Sequence, residues 1–232
     1  MISKTDEPII QFMIPSRSLF THLLLLALPV SAMAVEWQTL FDGKDLSAWK
    51  TPQKPADVPV DWAIEDGVLA WRKDCGNLVT REKFADFELE LQWKISEGGN
   101  SGVMFRVDEA LEKPWHTGPE VQVLDNAKHK DGRNPVTSAG SIYALYAPSQ
   151  AAARPVGEWN RLRMRVKGPR ITVWLNDVQV NDAATDSEDW KTRATKSKFA
   201  PFPQFGRTTT GYILLQDHSN PVWFRDIRIR RL

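Results

Sequence analysis

Residues Gly98–Asn126 read GGNSGVMFRVDEALEKPWHTGPEVQVLDN, the stretch around which the rest of the chain is organised. The alternation of polar and apolar residues predicts two short strands joined by a longer loop. The first predicted strand, Ser101–Val107, carries Arg106, and the second is Glu120–Leu124.

The second of these strands indicates a polar site. Successive side chains of a strand point to opposite faces, so Glu120 and Gln122 share one face while Val121 and Val123 share the other. A strand that buries valines on one side can present an acid and an amide on the opposite side. We therefore expect this strand to form the floor of a polar groove.

The first 34 residues predict a secretory signal segment that is not part of the fold. Leu19–Val30 is an apolar run preceded by Arg17, and Ala32–Ala34 places small residues around an expected cleavage after Ala34. The run is shorter than the roughly 20 apolar residues that span a bilayer, so a membrane anchor is the weaker alternative. Residues 35–232 are then one domain, periplasmic or secreted, with no membrane attachment after cleavage.

Composition narrows the class of partner. The chain has 232 residues, is 42% hydrophobic and 25% charged, and carries a formal net charge of +1. This is an ordinary globular composition without the concentrated basic face that nucleic acid requires. The single cysteine, Cys75, has no partner for an internal disulfide, so an exported domain of this sequence depends on its hydrophobic core. The sequence leaves the oligomeric state open.

Short alternating runs separated by Gly, Pro, Asn and Asp predict an all-β fold, an antiparallel sandwich or barrel without a helix of more than two turns. Thr51–Asp61, with three prolines, and Asp182–Thr210, with little periodicity, are expected to be loops. A structureless segment as long as the second is usually functional, and it could border a binding groove. The predicted strands are Trp62–Glu65, Val68–Trp71, Phe87–Ile95, Gly102–Val107, Glu120–Leu124, Ser141–Leu145, Asn160–Lys167, Arg170–Leu175, Gly211–Gln216 and Val222–Arg230.

Two clusters of acid, amide and imidazole groups lie at predicted strand ends. Asp125 and His129 follow the strand that begins with Glu120, and Gln216-Asp217-His218 ends a later apolar strand. A single histidine is usually a surface residue, but histidine also serves as a base or a metal ligand near neutral pH. The repeated combination makes both clusters candidate functional sites.

A third set of acids, Asp86, Glu88 and Glu90, shares one face of the strand Phe87–Ile95 or its edge. Retaining glycosidases need two carboxylates about 5–5.5 Å apart, and two acids on one strand face could supply them. No basic partner that would separate their pKa values is evident nearby in sequence, so a solvated sheet face is the stronger interpretation.

The chain from Trp37 to Leu232 resembles the 3-keto-disaccharide hydrolase family, in order along its whole length. The motifs that carry the resemblance are TLFDGKDLSAWK, GNLVT, FADFELELQWKI, GGNSGVMFR, PEVQVLDN, AGSIYALY, RPVGEWNRLR, VWLND and GYILLQDHSNPVWFRDIRIRRL. The resemblance implies a bacterial, exported protein with a two-sheet antiparallel jelly-roll sandwich of the concanavalin-like lectin/glucanase type. It also implies cleavage of the glycosidic bond of 3-keto disaccharides.

The chemistry of such a substrate defines what its site needs. A ketone at C3 acidifies the proton on C2, and the resulting enolate can expel the glycosidic oxygen from C1, after which water adds back. This route needs a base near C2, an acid near the leaving oxygen and a group that stabilises the enolate. We expect Glu120 or His218 as base and acid, with Arg106 at the oxyanion.

The remaining candidate residues would bind the sugar in the concave groove of the jelly roll. Their side chains are amides, acids, an imidazole and a phenol, all able to hydrogen-bond hydroxyl groups: Gln122, Asp125, His129, Tyr143, Gln216 and Asp217. By strand parity, Arg106, Glu120, Gln122, Gln216 and His218 should converge on one face.

Three alternatives stay open. A divalent metal, held by Glu120, Asp125 or His129, and His218, could stabilise the enolate, although no cofactor is certain. The domain could be a non-catalytic carbohydrate-binding module on the same fold. It could also be a plain glucanase that uses Asp86 and Glu88.

Overall fold

Two antiparallel β-sheets face each other across a core of large apolar side chains in this computed structural model, which describes Met1, residues 36–55 and residues 57–232. The predicted signal segment lies outside the described residues. Val35–Leu232 forms one compact unit. No helix among the described residues has the length and apolar character needed to cross a membrane.

The described chain contains thirteen strands and one α-helix. The strands are β1 Gln38–Phe41, β2 Trp49–Lys50, β3 Ala63–Glu65, β4 Val68–Ala70, β5 Leu78–Thr80, β6 Phe87–Ile95, β7 Asn100–Val107, β8 Glu120–Leu124, β9 Asn160–Lys167, β10 Arg170–Leu175, β11 Val178–Ala184, β12 Tyr212–Leu215 and β13 Val222–Arg231. Helix α1 is Glu188–Lys196, and short 3₁₀ helices cover Pro114–His116, Lys130–Arg133 and Pro135–Thr137.

The larger sheet has the order β11-β10-β9-β6-β13-β4-β3, with β1 also paired to β13. The smaller sheet has the order β2-β5-β12-β7-β8. Every second side chain of β6 points into the core, as expected for a strand with one buried face. These side chains are Phe87, Leu89, Leu91, Trp93 and Ile95. This two-sheet jelly-roll sandwich confirms the predicted fold class.

The smaller sheet has a second buried face, on the side away from the sandwich core. Val79, Met104 and Leu214 are at most 1% exposed there, beneath the partly buried Trp115 and Tyr212. A sheet face that is covered by loops and aromatic side chains can be shaped into a groove. The candidate site lies on this face.

Strand prediction succeeds where alternation is long and fails where strands are short. The bounds of β6, β8, β9 and β10 are as predicted. Ser141–Leu145 is not a strand: it forms tight turns with isolated bridges from Ile142 to Val121 and Tyr146. β1, β2, β5 and β11 were not predicted, because runs of two to four residues carry little periodicity and β11 has the polar interior Gln-Val-Asn-Asp.

The expectation that Asp182–Thr210 lacks structure is wrong, because α1 lies within it. Ser187 caps the helix by accepting a hydrogen bond from Trp190 N through its Oγ at 3.1 Å. Acidic residues occupy the first turn and Arg193 and Lys196 the last, as the helix dipole favours. Thr51–Asp61 has neither helix nor strand among its described residues, as predicted.

Candidate functional site

A cleft of about 410 Å³ opens on the outer buried face of the smaller sheet. It brings together residues from four separate parts of the chain, which are Asn77, Trp115, Glu120, Lys198, Gln216, Asp217, His218 and Ser219. Of the residues predicted to share a groove, Glu120, Gln216, Asp217 and His218 therefore converge. The cleft also contains three polar groups that the prediction missed, Asn77, Lys198 and Ser219.

Glu120 lies at the base of the cleft, because the neighbouring strand leaves room for it. Met104 of β7 is its register partner, and Gly102 lies one pair further along the same face. An ideal β-carbon on Gly102 would come within 2.7 Å of Cδ of Glu120, so the carboxyl group occupies the space that a side chain there would take. Glycine at this strand position is a requirement of close approach rather than of backbone conformation.

Gln122, only 1% exposed, supports the carboxyl group from the next position on the same face. With its amide nitrogen turned toward its acceptors, Gln122 donates to Glu120 Oε1 at 3.0 Å and to Ser101 O at 3.3 Å. Gln122 itself does not line the cleft. Its position indicates that it orients Glu120 and does not contact a ligand.

Burial dominates the electrostatics of Glu120. The residue is 7% exposed, and desolvation raises the pKa of its carboxyl group to about 7, against the attraction of Lys198 and with a further rise from Asp131. A carboxyl group with a pKa near neutrality can accept and release a proton at physiological pH. This is the property expected of a general base.

Lys198 lines one wall of the cleft beside Glu120. Tyr143 and Asp131 adjoin Lys198 but do not line the cleft, so Tyr143 does not share it with the other predicted residues. The Lys198 ammonium lies 4.1 Å from the centre of the Tyr143 ring, although the side chain as a whole is exposed. The Tyr143 hydroxyl donates to Asp131 Oδ2 at 3.0 Å, and Tyr143 N donates to Glu120 O at 2.9 Å. Desolvation lowers the pKa of Lys198, while Glu120 and Asp131 act to raise it.

The opposite wall is the segment after β12. Asp217 accepts hydrogen bonds from Trp71 Nε1 at 2.6 Å, Gly76 N at 2.9 Å and Ser219 N at 2.8 Å. Its carboxylate is therefore used to hold the segment in place, which makes Asp217 a structural residue at the edge of the cleft. The same arrangement sets the exposed His218 at the mouth.

Gln216 differs from its neighbour Asp217 because part of its side chain is unpaired. Its main-chain nitrogen donates to Gly102 O at 2.9 Å, and its carbonyl accepts from Ser101 Oγ at 2.8 Å. The side-chain Oε1 is enclosed and has no donor among the described residues. A buried amide oxygen without a donor is unusual in a folded protein, and Gln216 is one of the residues that line the cleft.

Arg106 does not belong to this cleft, so its predicted place on the groove face is wrong. Its φ is +53°, and the register between β7 and β12 shifts nearby, which turns the side chain out of the strand alternation. Arg106 instead donates to Ala85 O through Nε (3.1 Å) and Nη2 (2.9 Å), and to Asp86 Oδ1 at 3.2 Å. The predicted face for Arg106 was wrong because a bulge in β7 interrupts the regular alternation of side chains between the two faces of the strand.

Asp125 and His129 also lie outside the cleft. Asp125 accepts from Gly98 N at 2.7 Å and Ala127 N at 2.9 Å, and His129 Nδ1 accepts from Asp131 N at 3.1 Å. Both side chains close turns, as polar residues that follow a strand often do. They act on the site indirectly, since they hold the loop that carries Asp131.

The residues predicted from the sequence to bind a metal do not come together. Glu120 and His218 line the cleft, but neither Asp125 nor His129 borders it. Among the residues that the structure describes, no group of three or more His, Cys, Asp and Glu side chains is placed to hold a metal ion. These donors do not fit the proposed metal site.

The acids of β6 lie in the other sheet and are bound by arginines. Glu90 pairs with Arg228 at 2.6 Å and Arg161 at 3.2 Å, while Glu88 pairs with Arg230 and Arg163. These partners come from β13 and β9, which are distant in sequence. Glu88 and Glu90 are only 5% and 8% exposed, so the expectation of a solvated sheet face is wrong. Two arginines on each carboxylate are typical of an ion-pair network that ties strands together and leave no free pair for glycoside hydrolysis.

Sequence reasoning missed Lys198, Asp131 and Trp115. The only sequence feature that pointed toward Lys198 was its place in the long segment Asp182–Thr210, which was expected to border a groove. Lys198 of this segment does line the cleft. Nothing in the local pattern separates Asp131 from other loop acids. Trp115 belongs to the connection between β7 and β8, where its contact with the groove depends on how that connection folds back.

Comparison with known proteins places the chain in a family. A 3-keto-disaccharide hydrolase from Bacteroides thetaiotaomicron is 33% identical over 239 aligned positions, which cover 89% of this chain and 81% of the relative. A solved structure from Parabacteroides distasonis, provisionally assigned as a glycosyl hydrolase, is 33% identical, covers 84% of this chain and 94% of that one, and has a TM-score of 0.78.

A more distant likeness concerns the fold alone. The structure of a non-specific endo-β-1,3(4)-glucanase of family GH16 aligns with 86% of this chain and 97% of its own chain, with 13% identity and a TM-score of 0.51.

The family model described as the 3-keto-alpha-glucoside-1,2-lyase-like domain matches residues 36–230. With the relatives at 33% identity and this match across nearly all of the sandwich, the chain belongs to the 3-keto-alpha-glucoside-1,2-lyase-like family.

Proposed function

We propose that this protein cleaves the glycosidic bond of 3-keto glycosides, with Glu120 as the base that removes the C2 proton. The observation that carries the proposal is a single buried carboxyl group at the base of a polar cleft, with its pKa raised to about 7. Family membership and the relative named as a 3-keto-disaccharide hydrolase support the same substrate class.

The proposed reaction has two balanced stages. Glu120 takes the C2 proton, the electron pair forms an enolate with the C3 ketone, and the enolate expels the C1 oxygen as the leaving sugar takes up a proton. Water then adds to C1 and a proton returns to C2. The net result is hydrolysis into a 3-keto sugar and the released alcohol, and a pair of glycosidase carboxylates is not required.

The other cleft residues have proposed roles that follow from their charge and position. Lys198 replaces Arg106 as the candidate that stabilises the enolate oxygen, because its ammonium lies beside Tyr143 in the wall of the same cleft. His218, at the mouth, is placed to donate a proton to the leaving oxygen. Gln216, which lines the cleft, would hydrogen-bond a sugar hydroxyl through its side-chain amide.

A non-catalytic carbohydrate-binding module is the competing proposal. Such modules usually bind sugars on shallow surfaces of aromatic rings, whereas this cleft has one tryptophan, Trp115, and a buried titratable acid. These features favour an enzyme. We also propose a periplasmic or secreted location, on the basis of the apolar segment before Ala34.

The test incubates the protein with 3-keto-trehalose in D₂O, with trehalose as the matched substrate that lacks the ketone. We expect release of glucose and 3-keto-glucose only from the ketone, with deuterium incorporated at C2 of the product. Direct hydrolysis without the enolate would leave C2 unlabelled. Binding of 3-keto-trehalose without turnover would instead support the binding module.

Variants locate the reaction in the cleft. Glu120→Gln should abolish both turnover and C2 exchange, and His218→Ala should slow turnover but retain C2 exchange, because it acts after proton removal. Glu97→Gln, at an exposed turn, is the matched control and should keep wild-type activity. Wild-type C2 exchange in Glu120→Gln would overturn the assignment of the base. Parallel reactions with a chelator test metal dependence.

A further inference from the structure

A second cavity, larger than the Glu120 cleft, lies between α1 and the segment that follows it. Its volume is about 630 Å³, within the range of small-molecule sites. It shares no lining residue with the Glu120 cleft, although Lys198 of the cleft and Phe199 of this cavity are adjacent in the chain. The reaction proposed above does not use it.

Apolar ring edges make up much of its wall. Phe199 stacks on Phe205 at 3.9 Å, Phe205 on Trp190 at 6.0 Å, and Trp190 on Tyr146 at 5.9 Å, all measured between ring centres. Trp190, Phe199 and Phe205 are at most 5% exposed, so none of these rings offers an open face. Since sugars bind aromatic residues through open ring faces, this wall favours an apolar ligand over a sugar.

Arg106 provides the polar feature of the cavity. Its side chain is only 6% exposed, and Nε and Nη2 are used by Ala85 O and Asp86. Its Nη1 has no hydrogen-bond partner among the described residues and is not fully enclosed, and Arg106 is one of the residues that line the cavity. A nearly buried guanidinium nitrogen with unused donors favours an anionic acceptor.

The other charged residues that line the cavity are two basic residues and one acidic residue. Arg207 adds a second cation without an ion-pair partner among the described residues, and Lys191 pairs with Glu188 at 2.6 Å. Asp186 is the one acid that lines the cavity, and it is exposed. Arg106 therefore lies at the buried end of the cavity, with Asp86 as its acidic partner among the described residues, while Asp186 lies toward solvent.

We infer that this cavity binds a small apolar molecule that carries a carboxylate. The carboxylate pairs with Nη1 of Arg106, and the apolar body lies against the edges of Trp190, Phe199 and Phe205. An apolar body gains about 25 cal/mol for each Å² removed from water, and the charged hydrogen bond fixes its orientation.

Calorimetric titration with 2-naphthoate and 2-naphthamide tests the inference, because the two probes share a shape and differ in charge. Naphthoate should bind at least about tenfold more tightly than naphthamide, the preference expected of a charge-assisted hydrogen bond. Arg106→Met should lower the affinity for naphthoate to that for naphthamide. Equal binding of the two probes to the wild-type protein would overturn the inference.

A second variant covers the case in which Arg106→Met fails to fold. Ala194→Phe fills the cavity from α1 and leaves Arg106 unchanged, so naphthoate binding should be lost. Thr192→Phe adds the same bulk on the exposed part of α1, outside the cavity, and should bind naphthoate normally. Normal binding in Ala194→Phe, or displacement of naphthoate by trehalose, would show that the inference is wrong.

Discussion

Gly102 of β7 and Glu120 of β8 share one space on the outer face of the smaller sheet. The Glu120 carboxyl group lies where a side chain on Gly102 would stand, with Cδ at 2.7 Å and Cγ at 2.8 Å from an ideal β-carbon. The absence of a side chain at one strand position thus fixes the functional group of the next strand.

Gly102→Ala should reduce turnover of 3-keto-trehalose by about 100-fold, because a shift of about 1 Å in a catalytic group costs that much. Steady-state kinetics measure the change. Gly157→Ala is the control: Gly157 has a φ of +83° and open space around it, so alanine strains the backbone without touching Glu120. If both variants lose the same activity, the contact with Glu120 is not the cause.

The pH profile of kcat/KM should follow the carboxyl group of Glu120. Burial raises its pKa to about 7, and the base must be ionised to accept a proton. The rate should therefore fall about tenfold per pH unit below pH 7 and level off above it. A profile that is flat between pH 5 and pH 8 would contradict Glu120 as the base.

Glu120→Gln should make the protein more stable at pH 8. A carboxyl group whose pKa is raised by folding stabilises the folded state only while it is protonated, and that contribution is lost as pH rises from its unfolded value of 4.5 toward about 7. The difference in free energy of unfolding between variant and wild type should thus grow with pH over this interval. Urea titrations at pH 4, 6 and 8 measure it, and a difference independent of pH would show that Glu120 is not protonated by burial.

Lys198→Met should lower turnover and shift the midpoint of the pH profile upward. Lys198 lowers the pKa of Glu120, so its removal raises that pKa further. Lys196→Met provides the matched control, because Lys196 is an exposed residue of α1 outside the cleft. A downward shift, or an equal effect of both variants, would count against Lys198 as part of the site.

Glu88→Gln should leave turnover unchanged while it lowers stability by about 1 kcal/mol, as expected for a partly solvated ion pair. Glu88 is 5% exposed and pairs with Arg230 at 2.7 Å and Arg163 at 3.2 Å. Thermal unfolding and kinetics separate the two effects. Loss of turnover with normal stability would revive the glucanase alternative that uses Asp86 and Glu88.

Much of the fold was predictable because long strands carry a strong local signal. The alternation in β6, β8, β9 and β10 gives their bounds and their buried faces, and it also places Glu120 and Gln122 on one face. The local pattern fails at Ser141–Leu145, where β-branched and aromatic residues form turns. It also fails at α1, although the cap Ser187 and the charges at both helix ends are visible in the sequence.

The sequence by itself determined the sandwich, the apolar core and the polar face that presents Glu120, since these depend on side-chain alternation within single strands. Only the tertiary structure decided which distant groups meet that face. The bulge at Arg106 sends its guanidinium to Ala85 and Asp86, turn closure uses Asp125 and His129, and chain crossing brings Lys198 to Glu120. Local sequence does not encode the approach of Lys198 to Glu120, because it depends on how loops position segments that lie about eighty residues apart.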